Sequence, residues 1–326
     1  MNQFSYMRPA TQKAAIDAIT KDANARFIAG GTNLLDLMKN GVVMPEKLID
    51  INRLPLRDIR FDKDILHIGA LALNSDLAAH EEVKTHFPLL SQALLAGASQ
   101  QLRNMATVGG NMLQRTRCGY FYDTSMPCNK RTPGSGCGAI GGFNRMHAIF
   151  GASEQCIAVH PSDMCIALAA LDATVIIAGP KGDRRLPFAD FHRLPGNTPQ
   201  KDNNLERGEL ITGVEIPANP FTKNICYLKV RDRASYAFAL VSVGAALDIA
   251  DGSIRGARLA MGGVAHKPWR LKAAEAALSG KAPTEENFRI AATVAMQDAR
   301  AYKYNHFKLQ LAPNTIVTAL LKAAAV

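Results

Sequence analysis

Between Cys118 and Cys156 the chain carries four cysteines in a stretch that cannot be one helix or one strand. The spacing is C-x9-C-x8-C-x18-C, and Pro127, Pro133, Gly134, Gly136, Gly138, Gly141 and Gly142 lie among them. Proline removes a backbone donor and fixes φ, while glycine loses most entropy when held in a regular element. Such a density enforces an irregular loop, and loops this long inside compact domains usually have a function. Any fold for this chain must be a scaffold that carries a loop over about residues 114–158.

The chemistry of that loop is open from spacing alone. Met1 to Pro9 has no basic start followed by an apolar core, so no secretory signal is expected and a disulfide framework is disfavoured. The paired C-x2-C knuckles of common zinc sites are missing. Cys118, Cys128, Cys137 and Cys156 can hold an iron–sulfur cluster, with backbone N–H groups and nearby Arg and Lys offsetting its charge. They can also hold zinc, or be four buried free thiols. Cys165 sits in an apolar helical pattern from Ser162 to Leu168, and Cys226 in an apparent strand from Ile225 to Lys229. Both read as core thiols. His147 and His160 flank the loop and are candidate ligands, although histidines so placed are more often structural.

Length and charge narrow the class. The 326 residues, 48% of them apolar, suit two or three domains with their own cores. The longest uncharged apolar run, Ala234 to Leu247, is too short to span a bilayer as a helix. Net charge is +10, and residues 101–150 hold six basic residues (Arg103, Arg115, Arg117, Lys130, Arg131, Arg145) against Asp123. A basic segment can face nucleic acid, an anionic cofactor, a partner or only water. Aromatic interleaving is limited to Tyr120, Phe121, Tyr122 and Phe143, so nucleic acid is not favoured.

Periodicity places the loop between strands and helices. Helices are predicted over Thr11–Ile19, Asn33–Lys39, Pro88–Ala98 and Ser162–Leu171. Strands are predicted over Arg26–Ala29, Lys47–Ile51, Ile65–Ala70 and Ala173–Ala178. A turn-rich linker, Pro195–Arg207, precedes predicted strands at Glu209–Ile216, Cys226–Val230, Tyr236–Ile249 and Ser253–Met261. Predicted helices Trp269–Leu278, Glu285–Tyr302 and Leu309–Ala325 close the chain. Strands followed by helices point to an α+β C-terminal domain.

Two glycine pairs punctuate these elements. Phe27-Ile28-Ala29-Gly30-Gly31-Thr32-Asn33-Leu34 runs from strand through Gly-Gly into helix, and Thr107-Val108-Gly109-Gly110-Asn111 is built alike. Glycines let a backbone approach a pyrophosphate, and helix-start N–H groups bind anions. Either alone is more often just a turn. Both together, ahead of Asp163, which can hold a sugar hydroxyl, make a dinucleotide plausible. Gly136 to Gly141 matches G-x-G-x-x-G, but no apolar strand precedes it and Cys137 sits inside it, so a Rossmann site is rejected.

These motifs, with Pro161-Ser162-Asp163-Met164, Ala170-Leu171-Asp172-Ala173, Gly208-Glu209-Leu210-Ile211, Tyr227-Leu228-Lys229-Val230-Arg231, Ala237 to Ser242 and Gly262 to Arg270, closely resemble the FAD-binding subunits of molybdenum hydroxylases. The resemblance covers nearly the whole chain. The four-cysteine loop resembles the subgroup whose FAD subunit also carries a 4Fe–4S cluster, found in 4-hydroxybenzoyl-CoA reductase and, most like this chain, in bacterial periplasmic aldehyde oxidoreductase. It implies an α+β fold: a two-part FAD-binding domain of the vanillyl-alcohol-oxidase (PCMH) type over 1–220 and a small α+β domain of the carbon monoxide dehydrogenase flavoprotein type over 221–326. It implies FAD held by Phe27, Ile28, Ala29, Gly30, Gly31, Thr32, Asn33 and Leu34, by Thr107, Gly110 and Asn111, and by Asp163 on a ribose or ribityl hydroxyl. Leu210 and Ile211 would pack on the cofactor and Lys229 would reach the flavin ring. Cys118, Cys128, Cys137 and Cys156 would bind the cluster.

The implied role is electron transfer within a heterotrimer, from a molybdenum-cofactor large subunit and a 2Fe–2S small subunit through FAD to an external acceptor. Flavin suits it because it links one-electron centres to two-electron acceptors. Nothing in the chain resembles a molybdenum site or a plant-type ferredoxin pattern. The alternatives are the equivalent subunit of an aromatic acyl-CoA reductase, or a zinc-stabilised basic binding module. A periplasmic location by co-export with a signal-bearing partner is implied, with the cytoplasm as the alternative. The basic loop and Trp269 are candidate docking features.

Overall fold

The computed structural model describes residues 1–325. The N-terminal lobe is a parallel three-stranded sheet, order β1-β3-β2, built from β1 (Ser5–Met7), β2 (Ala25–Ile28) and β3 (Lys47–Asp50). The helix Gln12–Lys21 returns the chain from β1 to β2, and the Thr11 hydroxyl caps it by accepting from Ala14 N–H. Ala15, Ile16, Ala25 and Ile49 form its core with Leu71, Ala178 and Leu210 from the next lobe.

The second lobe is a five-stranded sheet of antiparallel pairs. It contains β4 (Ile59–Asp62), β5 (Ile65–Gly69), β6 (Thr174–Ala178), β7 (Arg184–Pro187) and β8 (Leu210–Pro217), in the order β4-β5-β8-β6-β7. Its core joins Leu66, Val175 and Val214 of the sheet to the apolar helices Pro88–Ala96 and Asp163–Ala170. The last sheet holds β9 (Ile225–Val230), β10 (Val241–Ala250), β11 (Ser253–Gly262) and β12 (Trp269–Arg270), in the order β12-β11-β10-β9. Helices Lys272–Leu278, Glu285–Ala295 and Lys308–Ala324 share a core with one face of this sheet. The other face meets the helix Asp163–Ala170: Ile166 lies over Gly244 and Gly262, and at Gly262 a side chain would press on it. The mixed helix and strand architecture is the α+β class expected.

Several elements differ from expectation. Glu209–Ile216, which reads as heading the C-terminal strands, is instead β8 at the centre of the second lobe's sheet. The predicted strand from Tyr236 begins at Val241, because Tyr236 takes a left-handed φ of 50°. Trp269 and Arg270 pair with Met261 and Ala260 as a strand before helix resumes at Lys272. The helix from Glu285 stops at Ala295, and Arg300 N–H then donates to the Ile149 carbonyl, anchoring the segment beyond it. Edge strands β4 and β7 are missed because each has only four residues, with at most two apolar side chains beside charge or proline: Ile59-Arg60-Phe61-Asp62 in β4 and Arg184-Arg185-Leu186-Pro187 in β7.

Candidate functional site

The first glycine loop leaves β2 and enters the helix Leu34–Lys39, whereas the second glycine pair, read from sequence as the same kind of turn, lies inside the short helix Val108–Met112 with Thr107 as its cap. They face one another: Gly30 abuts the Met105 carbonyl so closely that an added Cβ would sit 1.8 Å from its oxygen. Gly31 has φ of 71°, which glycine adopts without cost. Thr107 Oγ1 is taken up in capping, accepting from Gly110 N–H at 3.3 Å. Asn33 Oδ1 accepts from Arg115 N–H at 3.0 Å, which pins the start of the cysteine loop to the first glycine loop.

Between these loops lies a cavity of about 310 Å³. Phe27, Ile28, Ala29, Gly30, Gly31, Thr32, Asn33, Leu34, Thr107, Gly110, Leu210 and Ile211 all line it. Thus twelve expected site residues, from three separate parts of the chain, converge on one groove. Arg26 and Arg115 also line it, cations that local pattern gave no reason to assign there.

A second cavity, of about 520 Å³, lies between the lobes. Its lining includes His160-Pro161-Ser162-Asp163, Phe238-Ala239 from the loop before β10, Gly262-Gly263 at the end of β11, and Arg117, Cys118, Tyr120 and His147 from the cysteine loop. Asn111 lines neither cavity but bridges their walls, its Oδ1 accepting from Ser162 Oγ at 2.6 Å. Asp163 lines the second cavity with its carboxylate already engaged. Oδ1 accepts from Tyr227 hydroxyl at 2.8 Å and Oδ2 from Lys229 Nζ at 2.7 Å. Lys229 therefore lies behind Asp163 and lines neither cavity; its ammonium also donates to the Ala96 carbonyl. The Tyr227 hydroxyl is held well above its ordinary pKa by burial and by the neighbouring Asp163 charge.

The cysteine loop folds around a third, small void lined by Cys118, Cys128, Cys137 and Cys156 together with Asn129 and Lys130. All four are free thiols. Cys128 and Cys137 face one another across an antiparallel bridge. Asn129 organises the turn between them, its Oδ1 accepting from Gly134 and Gly136 N–H and its Nδ2 donating to Gln155. Burial pushes the Cys118 thiol up to about 12 against N–H bonds from Phe121 and Tyr120, and the Cys156 thiol up to about 11. His147 Nε2 lies 3.1 Å from Cys118 Sγ. The N–H donors on sulfur, the buried Lys130 and the fourfold thiol set fit an anionic cluster. Cys118 belongs to both this void and the second cavity.

The basic segment is paired inward. Arg115 and Lys130 both reach Asp202, Arg117 reaches Asp36, Arg145 reaches Asp232, Arg131 holds the Tyr120 and Phe121 carbonyls, and Arg103 holds that of Gly97. The lysine and arginine partners hold the Asp202 carboxyl far below the usual range despite its burial. Trp269 is half-buried and stacks on Phe150, ring centroids 5.2 Å apart.

Residues 2–219 match the family described as FAD binding domain in molybdopterin dehydrogenase, and residues 226–323 match the CO dehydrogenase flavoprotein C-terminal domain. The chain belongs to this family of FAD-binding subunits. It is 52% identical to the aldehyde oxidoreductase FAD-binding subunit PaoB of Escherichia coli, covering 100% of this chain and 99% of that protein. It is 30% identical to the glyceraldehyde dehydrogenase medium chain of Sulfolobus acidocaldarius, covering 90% of this chain and 88% of the other. Among solved structures, carbon monoxide dehydrogenase from Hydrogenophaga pseudoflava superposes with a TM-score of 0.78 at 27% identity, covering 99% of this chain and 98% of that one. The chain is thus an oxidoreductase flavoprotein, the medium subunit of a multi-subunit molybdenum hydroxylase. No helix among the described residues is long and apolar enough to cross a membrane.

Proposed function

We propose that this chain is the FAD- and 4Fe–4S-binding electron-transfer subunit of a heterotrimeric molybdenum-dependent aldehyde oxidoreductase. Its partners in this reading are a molybdenum-cofactor large subunit and a 2Fe–2S small subunit, and an external acceptor takes the electrons. The observation that carries it is Cys118, which stands in the wall of both the four-thiol void and the larger cavity. When bound, FAD exchanges electrons singly with iron–sulfur centres and in pairs with a two-electron acceptor, and a cluster on Cys118, Cys128, Cys137 and Cys156 supplies such a centre.

The chain's own residues supply the seat. The glycine loops with Arg26 and Arg115 offer backbone donors and positive charge to a pyrophosphate, and Leu210 and Ile211 give it an apolar side. The second cavity takes the other end of the cofactor, with Asp163 oriented by Tyr227 and Lys229. Iron is preferred to zinc in this reading because the C-x9-C-x8-C-x18-C spacing lacks the paired C-x2-C knuckles of common zinc sites. Aldehyde as substrate rests on the names of the two relatives above. Location in the periplasm, by export with a signal-bearing partner, belongs to the same reading.

The test is co-expression with the two partner subunits. The expected complex contains FAD and about four irons on this chain, and it reduces a dye with aldehyde only when all three subunits are present. Cys137→Ser should lower iron and acid-labile sulfide while FAD stays. Zinc in place of iron, or full iron in Cys137→Ser, would overturn the cluster assignment. Turnover with an aromatic acyl-CoA and none with aldehydes would move the complex to the reductase class.

A further inference from the structure

At the wall of the second cavity, where His160 lines it, three metal-type donors meet outside the four-cysteine void. His160, Cys165 and His192 each offer a ligand atom within 4.8 Å of the other two, and all three residues are buried. They come from three elements: the segment after the cysteine loop, the first turn of the helix Asp163–Ala170, and the residue that ends the short helix Phe188–Phe191.

Two of the donors are orphaned. His160 Nε2 and His192 Nδ1 are buried with no hydrogen-bond partner, although the rings lie only 4.3 Å apart between centroids, tilted by 53°. A buried polar atom left unpaired is costly, so something is expected to satisfy it. His192 Nε2 lies 2.9 Å from the Met112 carbonyl. A carbonyl only accepts, so Nε2 carries the hydrogen and Nδ1 keeps its lone pair. Metal-bound imidazoles are oriented in the same way, by an outer carbonyl on the nitrogen away from the ion.

Two imidazoles and a thiol, with no oxygen donor among them, select a borderline or soft d10 ion over magnesium or calcium. We propose that His160, Cys165 and His192 bind one such ion, zinc(II) or copper(I), independently of the four-cysteine void. Binding releases the Cys165 thiol proton to solvent and leaves a thiolate on the metal, with no change of oxidation state. Copper(I) is satisfied by three donors, and zinc(II) adds a water as the fourth. The ion ties three elements together directly behind His160, which lines the second cavity.

The experiment is metal analysis of the full chain, incubated in separate arms with zinc(II) and with copper(I) under reducing conditions and then dialysed. The expected result is about one ion per chain in one arm, retained in Cys137→Ser, which lacks the four-cysteine set. Cys165→Ser and His192→Gln should each weaken binding by roughly tenfold or more while bound FAD is unchanged. Less than about 0.1 ion per chain in both arms for the unmutated protein would overturn the proposal. So would loss of the ion in Cys137→Ser, or its retention in the Cys165→Ser/His192→Gln double variant. The unmutated chain and Cys137→Ser keep the test decisive even if a ligand variant folds poorly.

Discussion

At the scale of single residues, the two glycines of the first loop are required for different reasons. A Cβ at Gly30 would strike the Met105 carbonyl, a backbone atom that cannot move away alone. At Gly31 it would meet only the end of Leu35 and of Ile28, and the cost is the left-handed backbone, about 1–2 kcal/mol. Gly30→Ala should therefore cost about 3 kcal/mol or more and empty the groove of FAD, with Gly31→Ala milder. Denaturation and flavin content of the two variants check the order. Lys229 and Asp163 give a second contrast. Their side chains are only 4% and 8% exposed, so Lys229→Ala strands a buried carboxylate and should cost about 3–5 kcal/mol. Adding Asp163→Asn should recover a large part of that loss in a double-mutant cycle; additive losses would show that the pair is not coupled.

At the scale of elements, the cysteine loop is held by hydrogen bonds rather than by regular structure. Asn129 joins the Gly134–Gly136 turn to Gln155, so it ties the bridge of Cys128 and Cys137 to the segment of Cys156. Asn129→Ala removes no thiol, yet it should lower bound iron and speed proteolysis within residues 129–137. Unchanged iron content would show that the loop is rigid without it. The N-terminal sheet carries an acid-sensitive joint. Burial pushes the Asp50 carboxyl up, but hydrogen bonds from the Tyr6 hydroxyl, Asn52 and Arg8 outweigh it and bring the carboxyl down to about 2. A lowered carboxyl pKa contributes stability above the unfolded value, near 3.9, that fades as pH falls toward 2. Because Tyr6 and Arg8 are exposed, the contribution is on the order of 1 kcal/mol. Asp50→Asn should erase that part of the acid dependence, read from the unfolding midpoint between pH 5 and 2.

At the scale of the whole molecule, the second cavity exists because the C-terminal sheet is docked on the second lobe. Gly262 is the close contact: a side chain there would strike Ser242 Oγ at 2.5 Å and Ile166 at 2.9 Å. Gly262→Val should prise the sheet from the helix Asp163–Ala170, costing about 1–3 kcal/mol of stability. Bound FAD should weaken while the glycine loops, which belong to the N-terminal lobes, keep their hydrogen-exchange protection. Loss of protection in those loops would mean that the lobes fold as one unit.

Local chemistry makes much of this molecule readable in its sequence. The glycine pair after β2 marks the groove, because only glycine tolerates the approach of Gly30 to Met105 and the φ of Gly31. Four cysteines amid prolines and glycines mark a loop no regular element could absorb. Apolar periodicity places the long elements, since the hydrophobic pattern of each is complete within its own residues. Long-range partnership is not readable in this way. Asp163 and Lys229 are 66 positions apart, and nothing in either segment says that Lys229 will neutralise Asp163 from behind the cavity wall. Nor does local pattern pair each basic residue of the loop with an acid or carbonyl, or insert Leu210–Pro217 between strands formed far earlier. In the sequence His160 stands out only as a flank of the cysteine loop, Cys165 reads as a core thiol, and nothing marks His192. Their meeting depends on how three elements pack, and packing is set by the sum of contacts across the chain rather than by any stretch of it.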